Sequence, residues 1–299
     1  MRVVAIISIG TYYSAWFPYT VASIYNYVDE IVVGNYGFNI YDPKPDVWIP
    51  LDRVSQDINR LDINGKITEL KSVDISRLKH PYKVITQKEA NEQKINDWYD
   101  IRGVSMTHTN EVAVDHGADW IMKIDSDQVC YLDIRRLRRY LSVVRVNGLK
   151  FHQYEFIGDI GGKDNYFSKP QPNSPYDDPV FVYKANVNQY YGGGGSPALF
   201  LDGGDRIGTD LIHAGHMRNA NPIFITDEEK FMHFFYRVWF RLYTNQYGKF
   251  CRELDQHAKK TALDMLKYEN KQPAEVQPPE VCFYKDPLDY IIEKDAIFN

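Results

Sequence analysis

Continuous apolar runs alternate with helix-like stretches through the first half of the chain. The runs "VVAIISI" (3–9) and "DEIVVGNYG" (29–37) are rich in β-branched residues. Such runs are typical of strands that are buried on both faces of a parallel sheet. A helix-like stretch lies between them, with Pro18 tolerated in its first turn. Strand, helix and strand in this order predict a βαβ unit.

The alternation continues beyond this unit. Residues 86–117 predict one or two helices with Gly117 as a C-cap, "ADWIMKID" (118–125) predicts a strand, and residues 132–145 predict a helix. Residues 40–85 give a weaker pattern, interpreted as a strand end or loop followed by a short strand. The sequence therefore predicts an α/β fold with a Rossmann-like, mostly parallel central sheet flanked by helices.

The pattern changes after residue 150. Shorter strands, "DLIHAGH" among them, are separated there by Gly- and Pro-rich loops, and a helical tail begins at residue 227. We therefore predict one α/β domain over residues 1–225 and a helical C-terminal extension over residues 226–299 that packs on it.

One stretch of the extension is unusually aromatic. Residues 230–243 place aromatic and aliphatic side chains at helical spacing on one face, with Lys230, Arg237 and Arg241 off that face. Packing of this face on the α/β domain or on a second subunit of a homodimer is the favoured interpretation. Peripheral contact with a membrane surface is the alternative that stays open.

Bulk composition narrows the class of protein. The 299 residues are 44% hydrophobic and 25% charged, as in an ordinary globular protein, and the net charge of −5 disfavours nucleic acid as a partner. No run approaches the ~20 apolar residues of a membrane span, and the opening apolar run is too short for a signal peptide. Three widely spaced cysteines fit neither a zinc pattern nor a disulfide framework. We expect a cytoplasmic location.

Candidate chemistry begins with two carboxylates. Asp125 and Asp127 directly follow the strand "DWIMKI". In an extended segment, residues two apart project to the same side, and open α/β sheets bind ligands at the carboxyl ends of their strands. Two oxygen ligands there suit Mg²⁺ or Mn²⁺. Loop solvation is the competing interpretation, and the strand context favours the metal site.

A second candidate cluster lies in "LIHAGHMRN" (211–219). His213 and His216 are three residues apart, and either could add a nitrogen ligand to the same ion. Manganese accepts mixed oxygen and nitrogen ligation more readily than magnesium.

Together these segments resemble the GT-A fold glycosyltransferases, in particular the broad family 2 of inverting enzymes. The segments that carry the resemblance are "VVAIISIG", "VDEIVVGNYG", "DIRGVSMTHTNEVAVDHGADWIMKIDSD" and "IHAGH". The resemblance implies that Asp125 and Asp127 are the D-x-D pair, which binds the metal ion and the diphosphate of a UDP- or GDP-sugar donor. It also implies that His213 or His216 completes the metal coordination.

The resemblance assigns further positions. Asn35 stands where the family has an aspartate that contacts the nucleotide, and Arg102 stands where a helix often carries an arginine near it. An inverting reaction needs a carboxylate base that deprotonates the acceptor hydroxyl. Asp202, Asp205 and Asp210 are candidates, and Asp205 is favoured because its flanking glycines leave room for a substrate.

The sequence thus predicts a metal-dependent glycosyltransferase whose catalytic domain spans residues 1–225 and whose acceptor is a glycan, lipid or protein. One alternative is a sugar-nucleotide nucleotidyltransferase, although "SIGTYYSAWFP" after the first strand lacks the Gly-rich basic loop of that class. The other alternative is a non-catalytic carbohydrate- or nucleotide-binding protein that retains the fold.

Overall fold

A computed structural model describes most of the α/β region and the end of the chain. The described residues are 1–9, 13–36, 50–74, 83–84, 92, 98–99, 101–132, 134–159, 166–170, 181–186, 189–192, 198–201, 206–221 and 277–298.

Strands and helices alternate along the first half of these residues. The strands are β1 (Val3–Ile9), β2 (Glu30–Asn35), β3 (Ile67–Leu70), β4 (Lys83–Val84), β5 (Trp98–Tyr99), β6 (Trp120–Ile124), β7 (Gln128–Leu132), β8 (Gly148–Asp159), β9 (Tyr166–Pro170), β10 (Phe181–Lys184), β11 (Gln189–Gly192), β12 (Ala198–Leu201) and β13 (Arg206–Asn221). The helices are α1 (Phe17–Tyr25), α2 (Asp52–Leu61), α3 (Ile101–Asp115), α4 (Ile134–Val143) and α5 (Pro287–Phe298), with a 3₁₀ turn at Glu280–Phe283 before α5.

The central sheet has the order β3-β2-β1-β6-β10-β8-β13-β7, with β9 paired to β8. Among these described strands, the pairs β3–β2, β2–β1, β1–β6 and β8–β13 are parallel, and β6–β10, β10–β8 and β13–β7 are antiparallel. Helices cover both faces of the parallel half. The predicted Rossmann-like α/β fold with a mostly parallel central sheet is therefore confirmed.

Each face of the parallel half has its own apolar core. Side chains of β1 alternate between the two cores: Ile7 packs with α1, α2, α4 and α5, whereas Ile6 packs with α3. The same alternation holds in β6, where Met122 belongs to the first core and Ile121 to the second. This period of two is what the continuous apolar runs predict for strands buried on both faces.

Several predicted elements agree with the structure and others differ. The β1–α1–β2 unit and β6 lie where the pattern placed them, and Gly117 has the positive φ of +80° that a helix C-cap requires. The helix α2 was not predicted, although Val54, Ile58 and Leu61 bury one face of it. The short strand predicted at "DLIHAGH" is part of the 16-residue strand β13, because β8 and β7 both pair with it.

The end of the chain docks on the first βαβ unit. Cys282 and Ile291 are buried in the core with α1. The hydroxyl of Tyr19 donates a hydrogen bond to the Tyr284 carbonyl oxygen at 3.2 Å, and Asn26 Nδ2 donates to the Ile291 carbonyl oxygen at 2.8 Å. Within residues 277–298, the 3₁₀ turn and α5 are helical, and the prediction of a helical extension over residues 226–299 stays a prediction.

The proposed domain boundary at 225/226 and the aromatic stretch 230–243 lie outside the described residues and stay predictions. No helix in the described part of the chain combines the length and apolar character that crossing a membrane requires.

Candidate functional site

Asp125 and Asp127 lie in a tight turn between β6 and β7. The Gln128 N–H donates to the Asp125 carbonyl oxygen at 3.0 Å, and the Asp125 N–H donates to Gln128 Oε1 at 2.9 Å. The segment is thus a turn and not the extended strand that the sequence argument assumed. The two residues differ in environment: the side chain of Asp125 is 47% exposed, whereas Asp127 is a buried residue.

Neighbouring elements fix this turn from two sides. On the α1 side, Thr20 Oγ1 donates to the Ser126 carbonyl oxygen at 3.1 Å. On the β13 side, the Met217 N–H donates to the Asp127 carbonyl oxygen at 2.8 Å. A helix and a strand therefore both bind the backbone of the turn that carries the two carboxylates.

The turn lies at the carboxyl edge of the parallel strands. Ile7 of β1 is in register with Ile124 of β6, and Ile9 of β1 is in register with Asn35 of β2. β1 and β2 therefore end at the same level, and β6 ends two residues earlier, directly before Asp125. Ligands of open α/β sheets bind at this edge.

The amino end of α3 lies at the same edge. Ser105, in the second turn of α3, forms a 2.8 Å hydrogen bond with Ser8 near the end of β1. At the opposite end of the helix, the Asp119 N–H donates to the Arg2 carbonyl oxygen at the start of β1. The helix is thus antiparallel to β1, and its first turn, which contains Arg102, lies at the carboxyl edge. Helix amino ends favour bound anions. Contact between Arg102 and a nucleotide stays a prediction.

The register of β13 separates the two candidate histidines. His216 pairs with Gln128, the last residue of the turn, whereas His213 pairs with Tyr131. At about 3.3 Å per residue, the backbone of His213 lies roughly 10 Å farther along the strand. His216 is therefore the histidine whose backbone is adjacent to the carboxylate pair. Metal ligation by either residue stays a prediction.

Lys123 is a site residue that the sequence analysis missed. Its ammonium lies 2.8 Å from Asp125 Oδ1, and its side chain is only 13% exposed. The signal was present in the sequence: a single lysine in the apolar run "DWIMKI", two residues before an aspartate, is expected on the same face of the strand as that aspartate.

Asn35 has a structural role in this conformation of the protein. It is fully buried, and its side-chain amide donates to the Leu51 carbonyl oxygen at 3.0 Å and to Glu69 Oε1 at 2.7 Å. Its Oδ1 accepts from the Leu51 N–H at 2.9 Å. Because these protein groups engage both ends of the amide, the predicted contact with a nucleotide has no support from this geometry and stays a prediction.

A buried hydrogen-bond chain lies under α3, beside Asn35. The Asp74 N–H donates to His108 Nε2 at 3.4 Å, and His108 Nδ1 forms a 2.9 Å hydrogen bond with the Tyr36 hydroxyl. The Tyr36 hydroxyl lies 3.0 Å from Thr109 Oγ1. A Cβ atom at Gly34 would come within 2.5 Å of the same Oγ1, which accounts for glycine at this strand end. These hydrogen bonds fix the position of α3 on the sheet.

Two carboxylates supply the oxygen ligands that a hard divalent cation takes, with water or phosphate as its other ligands. Within the described residues, no three His, Cys, Asp or Glu side chains converge on one metal position. Cys130, close to the turn, is buried, and burial raises the pKa of its thiol to about 12. Asp205, the predicted base, lies outside the described residues.

Comparisons with known proteins give weak likenesses. No protein-family model and no curated protein matches this sequence. Similar solved structures include a putative glucose-1-phosphate thymidylyltransferase from Bacillus anthracis, with 10% identity, a TM-score of 0.33, and coverage of 62% of this chain and 72% of that one. Another is 4-diphosphocytidyl-2C-methyl-D-erythritolsynthase from Anaerococcus prevotii, with 10% identity, a TM-score of 0.32, and coverage of 99% and 98%. A third is a CMP:2-keto-3-deoxy-manno-octonic acid synthetase complexed with CTP, with 11% identity, a TM-score of 0.30, and coverage of 62% and 75%. Likenesses at these TM-scores carry no argument about the activity of this chain.

Proposed function

We propose that this protein is a metal-dependent transferase that binds a nucleotide-diphospho-sugar at the carboxyl edge of its sheet and transfers the sugar to a hydroxyl acceptor. One observation carries the proposal: the turn at the end of β6 presents Asp125 and Asp127, and α1 and β13 hold its backbone. If Asp125 and Asp127 only solvated a loop, its backbone would not need to be held by both α1 and β13.

The roles of the residues follow from their chemistry. Asp125, Asp127 and a histidine, with His216 favoured over His213, would hold Mn²⁺ or Mg²⁺. When bound, such an ion neutralises the diphosphate of the leaving nucleotide. The amino end of α3 and Arg102 add positive potential for the same phosphates.

The remaining step concerns the acceptor. A carboxylate, Asp205 in this proposal, takes the proton of the acceptor hydroxyl, whose oxygen attacks the anomeric carbon. The bond from that carbon to the diphosphate oxygen breaks, and the nucleoside diphosphate leaves. Inversion at the anomeric carbon rests on the family resemblance.

Nucleotidyl transfer, the alternative that the sequence analysis left open, is the second candidate. It would use the same edge of the sheet and the same carboxylates. The two reactions differ in the bond that breaks, since nucleotidyl transfer joins a sugar phosphate to the α-phosphate of a nucleoside triphosphate and releases pyrophosphate.

Product analysis distinguishes the two reactions. The protein is incubated with Mn²⁺, a panel of UDP- and GDP-sugars and a panel of glycan, lipid and peptide hydroxyl acceptors, or with Mn²⁺, nucleoside triphosphates and sugar 1-phosphates. Release of nucleoside diphosphate from the first panel, lost in Asp125→Asn and Asp127→Asn but retained in the exposed control Asp289→Asn, supports glycosyl transfer. Pyrophosphate release from the second panel supports the alternative. Tight nucleotide binding without either product indicates a non-catalytic binding protein and contradicts both.

A further inference from the structure

Lys123 occupies an unusual position for a lysine. It is the penultimate residue of β6, opposite Ile6 of β1 and Phe181 of β10, in the middle of the sheet. Its neighbours in β6 are core residues, and its side chain is 13% exposed. An ammonium removed from water in this way needs an anion beside it, because burying an unpaired charge is costly.

The anion beside Lys123 is Asp125, which the proposed function assigns to the metal ion. Lys123 Nζ lies 2.8 Å from Asp125 Oδ1, which is the carboxylate assigned to the divalent cation. An ammonium and a divalent cation at one carboxylate repel each other at short distance, and the partly buried position weakens screening by water. Asp125 therefore cannot serve both cations equally well, and Lys123 needs another anion when a metal ion is bound.

The substrate proposed above supplies that anion. We infer that Lys123 makes metal binding at Asp125 and Asp127 dependent on the nucleotide diphosphate. In the empty site Lys123 neutralises Asp125. When the metal ion and the donor are bound, Lys123 pairs with a phosphate oxygen of the donor. Binding of the cation and binding of the diphosphate therefore strengthen each other. This inference rests on the proposed function, and it assigns Lys123 as a residue that contacts the donor.

The test uses Lys123→Met, which keeps the length of the side chain and removes its charge, and Lys123→Arg, which keeps the charge. Binding of Mn²⁺ alone is measured by the loss of its free EPR signal. Binding of UDP and GDP in saturating Mn²⁺ is measured by calorimetry. Thermal unfolding followed by circular dichroism verifies that each variant is folded.

We expect Lys123→Met to bind Mn²⁺ alone about tenfold more tightly than the wild type, because the competing cation is gone, and to bind the nucleotide about tenfold more weakly. Lys123→Arg should stay within about threefold of the wild type in both measurements. The two affinities of Lys123→Met are thus expected to change in opposite directions. If Lys123 only stabilised the turn, its removal would weaken the binding of both Mn²⁺ and the nucleotide.

Other outcomes overturn the inference. Unchanged or weaker Mn²⁺ binding in Lys123→Met, including no binding by any variant, excludes competition at Asp125. Unchanged nucleotide binding in that variant, with normal binding in the wild type, overturns the role of Lys123 and leaves the proposed function standing. Absence of nucleotide binding in the wild type overturns both.

Discussion

The side-chain amide of Asn35 forms hydrogen bonds with both backbone groups of Leu51, the N-cap residue of α2. The same amide nitrogen donates to Glu69 Oε1 at 2.7 Å. A carboxylate at position 35 would offer no donor to the Leu51 carbonyl and would place a second negative charge against Glu69. This geometry accounts for asparagine where the glycosyltransferase family that the sequence resembles has aspartate.

Asn35→Asp is therefore expected to destabilise the protein by about 2–4 kcal/mol at pH 7, because it removes a donor to the Leu51 carbonyl oxygen and places a second carboxylate against Glu69. Glu69→Gln in the same chain should recover part of this loss by restoring a donor between the two side chains. Urea unfolding of the wild type, both single variants and the double variant measures the coupling free energy. Equal stability of Asn35→Asp and the wild type, or additive effects in the double variant, would contradict the described contact.

Two adjacent isoleucines test the docking of the final helix. Ile291 is fully buried in the core beside α1, whereas Ile292 is 51% exposed. Ile291→Ala should cost about 2–5 kcal/mol in unfolding free energy, because it leaves a cavity. Ile292→Ala, the matched control, should change stability by less than about 0.5 kcal/mol. Similar effects of the two substitutions would show that α5 does not pack on α1 as described.

A charged cluster at the amino edge of the sheet predicts acid sensitivity. Burial raises the pKa of Glu30, but hydrogen bonds from Thr68, His116 and Arg2 outweigh burial and hold the pKa below its ordinary value. A carboxylate with a lowered folded-state pKa stabilises the protein fully above the ordinary glutamate value of about 4.3. That stabilisation is lost as the pH falls through the lower folded-state value.

Glu30→Gln should therefore be less stable than the wild type at pH 7, by about 1–3 kcal/mol. The difference between the two proteins should shrink as the pH falls from about 4.3 downward. Urea unfolding of both proteins at a series of pH values between neutral and strongly acidic measures this difference in unfolding free energy. A difference that stays constant with pH would show that Glu30 gains no stabilisation from its charge.

The elements that were predicted correctly are those specified by local pattern. β1, β2 and β6 are apolar runs whose alternate side chains serve two cores, and no distant contact is needed to recognise them. The helix α2 differs, since its N-cap residue Leu51 makes no side-chain cap hydrogen bond. Asn35, 16 residues earlier in the chain, binds the backbone at this helix start instead. A helix N-terminus that is capped by a residue of a distant strand cannot be recognised from the local sequence.

In the candidate site, too, some features follow from the local sequence and others depend on distant contacts. Asp125 and Asp127 were found because they follow a strong strand, but their turn depends on Gln128, α1 and β13, which are tertiary partners. The proximity of His216 to the turn depends on the register between β13 and β7, which no local pattern contains. Lys123 could have been found from its spacing to Asp125.

Calorimetric titration of UDP and GDP, with and without Mn²⁺, tests the central claim most directly. It compares the wild type with the Asp125→Asn/Asp127→Asn double variant and with Asp289→Asn, which removes an exposed charge on α5. We predict binding of one nucleotide that requires Mn²⁺ and is weakened at least tenfold, about 1.4 kcal/mol, in the double variant but not in the control. Binding that is independent of metal and of both carboxylates, or absent altogether, would reduce Asp125 and Asp127 to residues of a solvated turn and contradict the proposed donor site.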